Sequence, residues 1–565
     1  ETLTKIYHDL ITGGPQLKKR IINTVIAAAL ICASVLTGCA GNGTASKKAQ
    51  NVSYMESING KLKENVPDDK YRTTYEIFVG SFYDSDGDGI GDLKGVEEKL
   101  DYIKDLGFNQ IWLMPICPSP TYHKYDVIDY MSIDPDYGTM EDFESLVAAC
   151  HKDGIKIITD LVLNHTSTQH PWFQKAKEYL KNLKDGEKPD AKKCPYVNYY
   201  NFTREEGESG YSQLSGSMWY YEAQFWEGMP DLNLDNKAVR NEIKKITDFW
   251  LDKGVDGFRL DATTSYYTGN EEKTIEFLKW LNDEVKAKDP DAYLVGECWT
   301  DLATYARYYK SGADSFFDFD FADTNGVIKK TVNGEITAKG YGEEMVTAQE
   351  KIAGNSDGKG IEAPFYTNHD LARSAGYYPG DDGSKTKFAE GLNLMMSGCA
   401  FVYYGEEIGM KGSGSDENKR APMYWTSDST AKGMTKGPKD MDLFDMKYDP
   451  EDKQVKSDSS ILSYVKQAIK LRNSFPAIAR GTITLDENAS GDDILVITKT
   501  PSDSSYDPVV LVYNTGEKSA TLKKSDLPDG FTKLSGVLTV DKGEITEKDG
   551  TITMPKESIA VYTKQ

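Results

Sequence analysis

From about residue 71 onward, short apolar runs alternate with stretches whose apolar residues recur at i, i+3 and i+4. The runs at 74–80, 110–114, 155–160, 255–261, 292–297, 315–319, 363–367 and 400–404 predict strands. Between them, 96–106, 141–151, 237–251 and 273–285 carry the period of amphipathic helices. Most of the strand runs are almost continuously apolar, as strands covered on both faces must be. Eight such strands separated by helices predict a parallel (β/α)8 TIM barrel of the α/β class rather than a doubly wound sheet.

Two stretches break the alternation. After the third strand, residues 166–235 are rich in Tyr, Gly, Lys and Glu, and a structureless loop of that length is improbable. A small inserted domain is therefore expected there. After Phe475 the pattern changes to short alternating strands at 481–485, 494–498, 509–513, 551–554 and 559–562, separated by turn residues. These predict a C-terminal antiparallel β-sandwich. The expected organisation is a barrel over 71–165 and 236–475, an inserted domain over 166–235 and a sandwich over 476–565.

The first seventy residues read differently. Lys18-Lys19-Arg20 precedes an apolar run over 21–36 that is short for a membrane span and closes on Leu36-Thr37-Gly38-Cys39. That ending resembles the bacterial lipobox, in which the cysteine is acylated. Residues 1–39 are thus expected to be upstream residues and a lipoprotein signal, and 40–70 a tether. The expectation is an extracytoplasmic protein on a bacterial cell surface, touching the membrane only through a lipid anchor at Cys39.

Charge narrows the partners. Lys plus Arg number 66 against 89 Asp plus Glu, for a net charge of −23, which disfavours nucleic acid and anionic membrane surfaces. A neutral substrate tolerates that charge, and 35 Tyr with 8 Trp suit stacking against sugar rings. The five cysteines beyond the signal, Cys117, Cys150, Cys194, Cys298 and Cys399, lack metal-ligand spacing and imply no disulfide framework.

Chemistry concentrates at the C-terminal ends of the predicted strands, where barrel enzymes keep their reacting groups. Those ends carry Asp160 with Asn164-His165, then Asp261, Glu297 and Asn368-His369-Asp370. Arg259 stands two residues before Asp261, on the same face of a strand, where it favours the ionised carboxylate. The segments Asp160-Leu-Val-Leu-Asn164-His165, Gly257-Phe-Arg259-Leu-Asp261, Gly296-Glu297-Cys-Trp and Phe365-Tyr-Thr-Asn368-His369-Asp370 resemble the signature regions of the α-amylase family, glycoside hydrolase family 13. A further match is the run from Val402 to Met410, and the resemblance extends from about Tyr71 to the end of the chain.

The resemblance implies roles residue by residue. Asp261 would be the nucleophile and Glu297 the general acid/base of a retaining glycosidase, their carboxyls about 5–5.5 Å apart. Asp370 would hold sugar hydroxyls and stabilise the transition state. His165 and His369 would bond substrate hydroxyls, and Arg259 would orient Asp261. In Tyr122-His123-Lys124-Tyr125-Asp126, Tyr125 would stack on the sugar at the cleavage point and His123 would bond it. Non-catalytic members of the fold lose one or more of the three carboxylates, and this chain keeps all three.

The loop Asp84-Ser-Asp86-Gly-Asp88-Gly-Ile90-Gly-Asp92 places oxygens at alternate positions and resembles the start of a calcium loop. Position twelve is Gly95, so it is no EF-hand. One structural Ca2+ is expected on Asp84, Asp86, Asp88, the Ile90 carbonyl and Asp92. Many α-amylases follow the nucleophile with a Lys-His pair tied to a second calcium, and Thr263-Thr264 stand there instead. Met229-Pro-Asp-Leu-Asn233 resembles the motif of members between oligo-1,6-glucosidases and neopullulanases, while Ala262 after the nucleophile leans towards α-1,4 bonds. The expected substrates are starch and maltooligosaccharides, cut internally by a monomer. An exo-acting glucosidase or a transglycosylating neopullulanase-like enzyme is the alternative.

Overall fold

The computed structural model describes residues 53–207 and 209–565, so the signal pattern and Cys39 lie outside the described residues. The first three barrel strands are β1 (Thr73–Ile77), β2 (Gln110–Leu113) and β3 (Lys156–Leu161). Three short strands follow in the long excursion after β3: β4 (Phe202–Thr203), β5 (Tyr211–Gln213) and β6 (Tyr220–Glu222). The barrel resumes with β7 (Gly257–Leu260), β8 (Tyr293–Gly296), β9 (Ser315–Phe316) and β10 (Ala400–Tyr403). All pair in parallel, in the order β10-β1-β2-β3-β7-β8-β9.

The seventh predicted strand, 363–367, is not a regular strand. It closes the ring through two parallel bridges, Phe317 to Ala363 and Phe365 to Phe401. The interior of the barrel is filled by Trp112, Ile158, Val295, Phe317, Phe365 and Phe401, all buried. Such layered filling makes the barrel a packed core whose usable surface is its rim.

Helices cover the outside where the 3.6-residue period placed them. Lys237–Asp252 starts at Asn236, whose side chain accepts the Ala238 amide, and buries Val239, Ile243, Ile246 and Trp250. Met140–Lys152 opens on a capping box between Thr139 and Asp142. The expected single helix over 96–106 is two, Leu93–Glu98 and Leu100–Leu106. The excursion after β3 also holds the helix Pro171–Lys181, which burial of Phe173, Ala176 and Leu180 stabilises and which its sequence did not announce.

At the C-terminus, β11 (Gly481–Leu485), β12 (Ile494–Pro501), β13 (Val509–Asn514), β14 (Ala520–Lys523), β15 (Phe531–Thr539), β16 (Thr546–Lys548), β17 (Thr551–Met554) and β18 (Ser558–Lys564) form two antiparallel sheets. The larger runs β11-β12-β13-β18-β15, the smaller β14-β17-β16. Strands β14, β15 and β16 are additions to the five read from the pattern. Among the described residues, no helix is long and apolar enough to cross a membrane.

Candidate active site

The site is built around one guanidinium. Register pairs Asp160 on β3 with Arg259 on β7, and Arg259 with Val295 on β8, so their side chains share the barrel interior. Gly257 begins β7 at φ 152°, and a Cβ there would sit 2.0 Å from the Tyr293 carbonyl oxygen. Only glycine lets β7 pair this closely with β8. Arg259 is fully buried, and its Nη1 donates to Asp261 Oδ1 at 2.6 Å and to Asp160 Oδ1 at 2.9 Å. Its Nη2 lies 3.1 Å from Glu297 Oε1. Three carboxylates from three strand ends therefore lean on one buried cation, whose charge burial opposes and Asp160 and Glu297 sustain.

Asp370 joins from the loop after the irregular seventh strand. Its Oδ1 accepts from Arg420 Nη2 at 3.1 Å and its Oδ2 lies 2.9 Å from His369 Nε2. Burial opposes its charge, yet His369, Arg420 and Arg259 together hold its carboxyl well below the usual carboxylate range. Glu297 is shifted the other way. Burial raises its pKa, Arg259 opposes, and Asp261 and Asp370 add to the rise. The buried Asp160 carboxyl, with Asp261 beside it, is pushed up to about 7 despite Arg259. The mouth thus pairs acids of opposite tendency, one suited to hold a proton and one to lose it.

The backbone after Asp261 is part of this geometry. Ala262 adopts the left-handed conformation, φ 47° and ψ 45°, rare for a residue with a Cβ. That twist aims its N–H at Glu297 Oε2, 2.9 Å away, and Thr263 donates its amide to the Glu297 carbonyl at 3.0 Å.

The three histidines differ in their surroundings. His369 is buried, with Nδ1 2.5 Å from Glu76 Oε1 and Nε2 2.8 Å from the Tyr125 hydroxyl. Burial alone would lower its pKa, but Asp370 and Glu76 outweigh it and push it up to about 9. His165 has both ring nitrogens engaged, Nε2 against the Tyr125 carbonyl at 3.2 Å and Nδ1 against Asn164 at 3.4 Å. Burial lowers its pKa, and Asp261 opposes that shift. His123 Nδ1 accepts the Tyr125 amide at 3.1 Å, and burial lowers its pKa too. Tyr125 stacks on His369 at 5.6 Å between centroids and donates to Asp160 Oδ2 at 3.1 Å. Glu76 and Arg420 are the members of this cluster that the sequence reading did not single out.

The acidic loop lies at the other end of the β1 connection. Carboxylate oxygens of Asp84, Asp86 and Asp88 lie within 4.8 Å of one another. An all-oxygen set of this kind suits a hard cation such as Ca2+. Asp92 is turned elsewhere: its oxygens accept from the Ser85 amide and hydroxyl and from the Gly95 amide, capping the helix Leu93–Glu98. Ile90 is exposed and donates its amide to Asp88 at 2.7 Å.

Comparison with known proteins agrees with this geometry. Residues 76–481 match the family described as alpha amylase, catalytic domain. The chain is 40% identical to Alpha-amylase 3 of Dictyoglomus thermophilum over 76% of its own length and 82% of that protein. It is 29% identical to an oligo-1,6-glucosidase of Parageobacillus thermoglucosidasius, across 85% of this chain and 95% of the other. The solved structure of Eubacterium rectale Amy13B superposes with a TM-score of 0.88 at 50% identity, covering 91% of this chain and all of that one. A barrel with this cluster at its mouth and a family match across most of its length has one assignment: the chain belongs to the α-amylase family and is a glycoside hydrolase.

Proposed function

We propose that the protein is an α-amylase, cleaving internal α-1,4-glucosidic bonds of starch and maltooligosaccharides with retention of configuration. The observation that carries this reading is the Arg259 guanidinium, 2.6 Å from Asp261 and 3.1 Å from Glu297. With one oxygen held by Arg259, the other oxygen of Asp261 attacks the anomeric carbon. Glu297, its pKa raised by burial, gives its proton to the departing glycosidic oxygen. Water then attacks the glycosyl–Asp261 ester, with Glu297 now taking a proton, and the two inversions give retention. Asp370 bonds sugar hydroxyls and stabilises positive charge at the transition state. Tyr125 offers a ring to the sugar at the cleavage point, while His165, His369 and His123 order the hydroxyl-binding wall.

The likeness to Alpha-amylase 3 and the small Ala262 support starch over α-1,6-linked substrates. A second reading, exo-action on short oligosaccharides, draws on the match across 95% of an oligo-1,6-glucosidase. Asp84, Asp86 and Asp88 would hold a structural Ca2+, which would cross-link the loop by neutralising its carboxylates. The signal pattern ending at Cys39 supports export and lipid anchoring.

The test is the product profile on soluble starch, against isomaltose and pullulan. A spread of maltooligosaccharides in the α configuration is expected, and glucose alone or β products would reject the reading. Glu297→Gln is expected to bind maltooligosaccharides without cleaving them. Hydrolysis at the wild-type rate in that variant would end the assignment of Glu297.

A further inference from the structure

We infer that Glu76 is a positioning residue for the reaction: from the end of β1 it fixes the orientation and proton of His369, and through His369 the geometry of Asp370. The inference rests on the proposed role of Asp370 and adds the group behind it.

The geometry is a line of contacts running from Glu76 through His369 to Asp370. Glu76 pairs in register with Tyr403 on β10 and Trp112 on β2, so its side chain enters the barrel mouth between them. Both Glu76 and His369 are essentially without solvent exposure. Glu76 Oε1 meets His369 Nδ1 at 2.5 Å, a short charge-assisted contact that sets Nδ1 as a donor. Nδ1–H leaves Nε2 as the atom facing outward, 2.8 Å from the Tyr125 hydroxyl and 2.9 Å from Asp370 Oδ2. The Tyr125 hydroxyl passes its own proton towards Asp160 Oδ2 at 3.1 Å. Nε2 must therefore donate rather than accept, and it can do so only while the ring carries both protons.

Every charged or titratable group facing the ring favours that state or is neutral. Glu76 comes from β1, Asp370 from the ring's own loop, and Tyr125 from the loop after β2. Trp112 packs edge-on at 5.7 Å and adds no charge. Behind Asp370 stands Arg420, and behind Tyr125 stand Asp160 and Arg259. Two carboxylates flank one imidazole, and the rise of the ring's pKa to about 9 has this cause. Without Glu76 the ring would face burial with Asp370 alone. Asp370 would then lose the donor that locks its Oδ2, and its aim at the sugar hydroxyls would loosen.

The test uses the whole protein and follows two readouts. Nitrogen-15 NMR of histidine-labelled protein reports the ring protons of its six histidines, with His369 assigned by its absence in His369→Gln. Wild-type His369 is expected to stay doubly protonated through neutral pH. In Glu76→Gln, which keeps the shape and removes the charge, its titration should fall by about one pH unit or more. Hydrolysis of a maltooligosaccharide by Glu76→Gln should lose about tenfold or more in kcat, with KM held within about twofold. Glu76→Asp, which restores a carboxylate, should recover part of both. An unmoved His369 titration in Glu76→Gln, or unchanged kcat, overturns the inference. Should neither variant fold, wild-type His369 titrating at the ordinary histidine value overturns it alone. The titration needs no substrate, so failure of the starch assignment would leave that arm standing.

Discussion

Two buried cation centres occupy opposite ends of the barrel, and they are satisfied in opposite ways. At the mouth, Arg259 is surrounded by the carboxylates of Asp160, Asp261 and Glu297. At the floor, where the barrel meets the C-terminal sheet, Arg472 and Lys499 are equally buried but bond mainly to backbone carbonyls. Arg472 donates to the oxygens of Leu394, Met396 and Gly398 at 2.6–2.8 Å. Lys499 Nζ reaches those of Met395 and Ile478 at 2.7 Å and the Ser397 hydroxyl at 3.2 Å. The Leu394, Met395 and Met396 carbonyls lie at the C-terminal end of the helix Ser384–Leu394, where the backbone dipole already favours positive charge. The floor sets Arg472 and Lys499 on backbone carbonyls, where burial lowers the pKa of both, and so fixes the join between sheet and barrel. The mouth gathers like charges that repel, a cost to folding that only chemistry justifies.

The largest effect that separates the two ends is on catalysis. Asp261→Asn should lower maltooligosaccharide hydrolysis by about 10⁴-fold or more. Its melting temperature should hold or rise, because one member of a crowded acid set is gone. A variant that melts markedly earlier would show the mouth to be built for stability after all. At the floor the expectation is reversed. Lys499→Met strands buried carbonyls and should cost about 3 kcal/mol in urea denaturation. In the protein that remains folded, kcat should match wild type.

The floor also predicts a pH dependence. Burial pushes the Glu362 carboxyl up to about 7, against the pull of Lys499 and Arg472. The folded value lies above the unfolded one, so folding keeps a proton that the unfolded chain releases near pH 4. That contribution is complete in acid and is lost as pH rises through about 7. Between pH 6 and 8.5 the wild type should lose about 1.4 kcal/mol more stability than Glu362→Gln. Parallel slopes for the two proteins would reject the assignment of the shift to Glu362.

How legible each end was in the sequence follows from the same contrast. Strand ends that carry an acid after an apolar run, such as Asp261 and Glu297, stand out because apolar periodicity locates the end and the acid breaks it. Glu76 escaped because its run was read on to residue 80, which put a strand-end acid in mid-strand, whereas β1 stops at Ile77. Arg420 comes from an irregular stretch 50 residues beyond Asp370, where no period reports a neighbour. The floor was illegible altogether. Lys499 lies in β12 one residue past the predicted strand 494–498, and only the packing of the sheet against the barrel turns it inward. The irregular seventh strand shows the limit in the other direction. Its apolar pattern was plain, but burial pattern does not report whether the ladder hydrogen bonds close.

The smallest expected effect concerns strain at the mouth, one of several places among the described residues where a side chain with a Cβ has positive φ. Lys124, between His123 and Tyr125, and Ala262, directly after Asp261, both have positive φ. A residue with a Cβ in that region costs roughly 1–2 kcal/mol relative to glycine. Ala262→Gly removes that cost but gives the unfolded chain more freedom, about 0.4–1 kcal/mol in the opposite sense. The net gain in stability should therefore be about 1 kcal/mol or less, read from the urea midpoint. Activity should fall a few-fold at most, because the Ala262 N–H held against Glu297 Oε2 at 2.9 Å becomes less firmly aimed. If Ala262→Gly were instead less stable than wild type, the left-handed turn would be no strain at all. The mouth would then differ from the floor in charge alone, and the twist after Asp261 would be an ordinary turn.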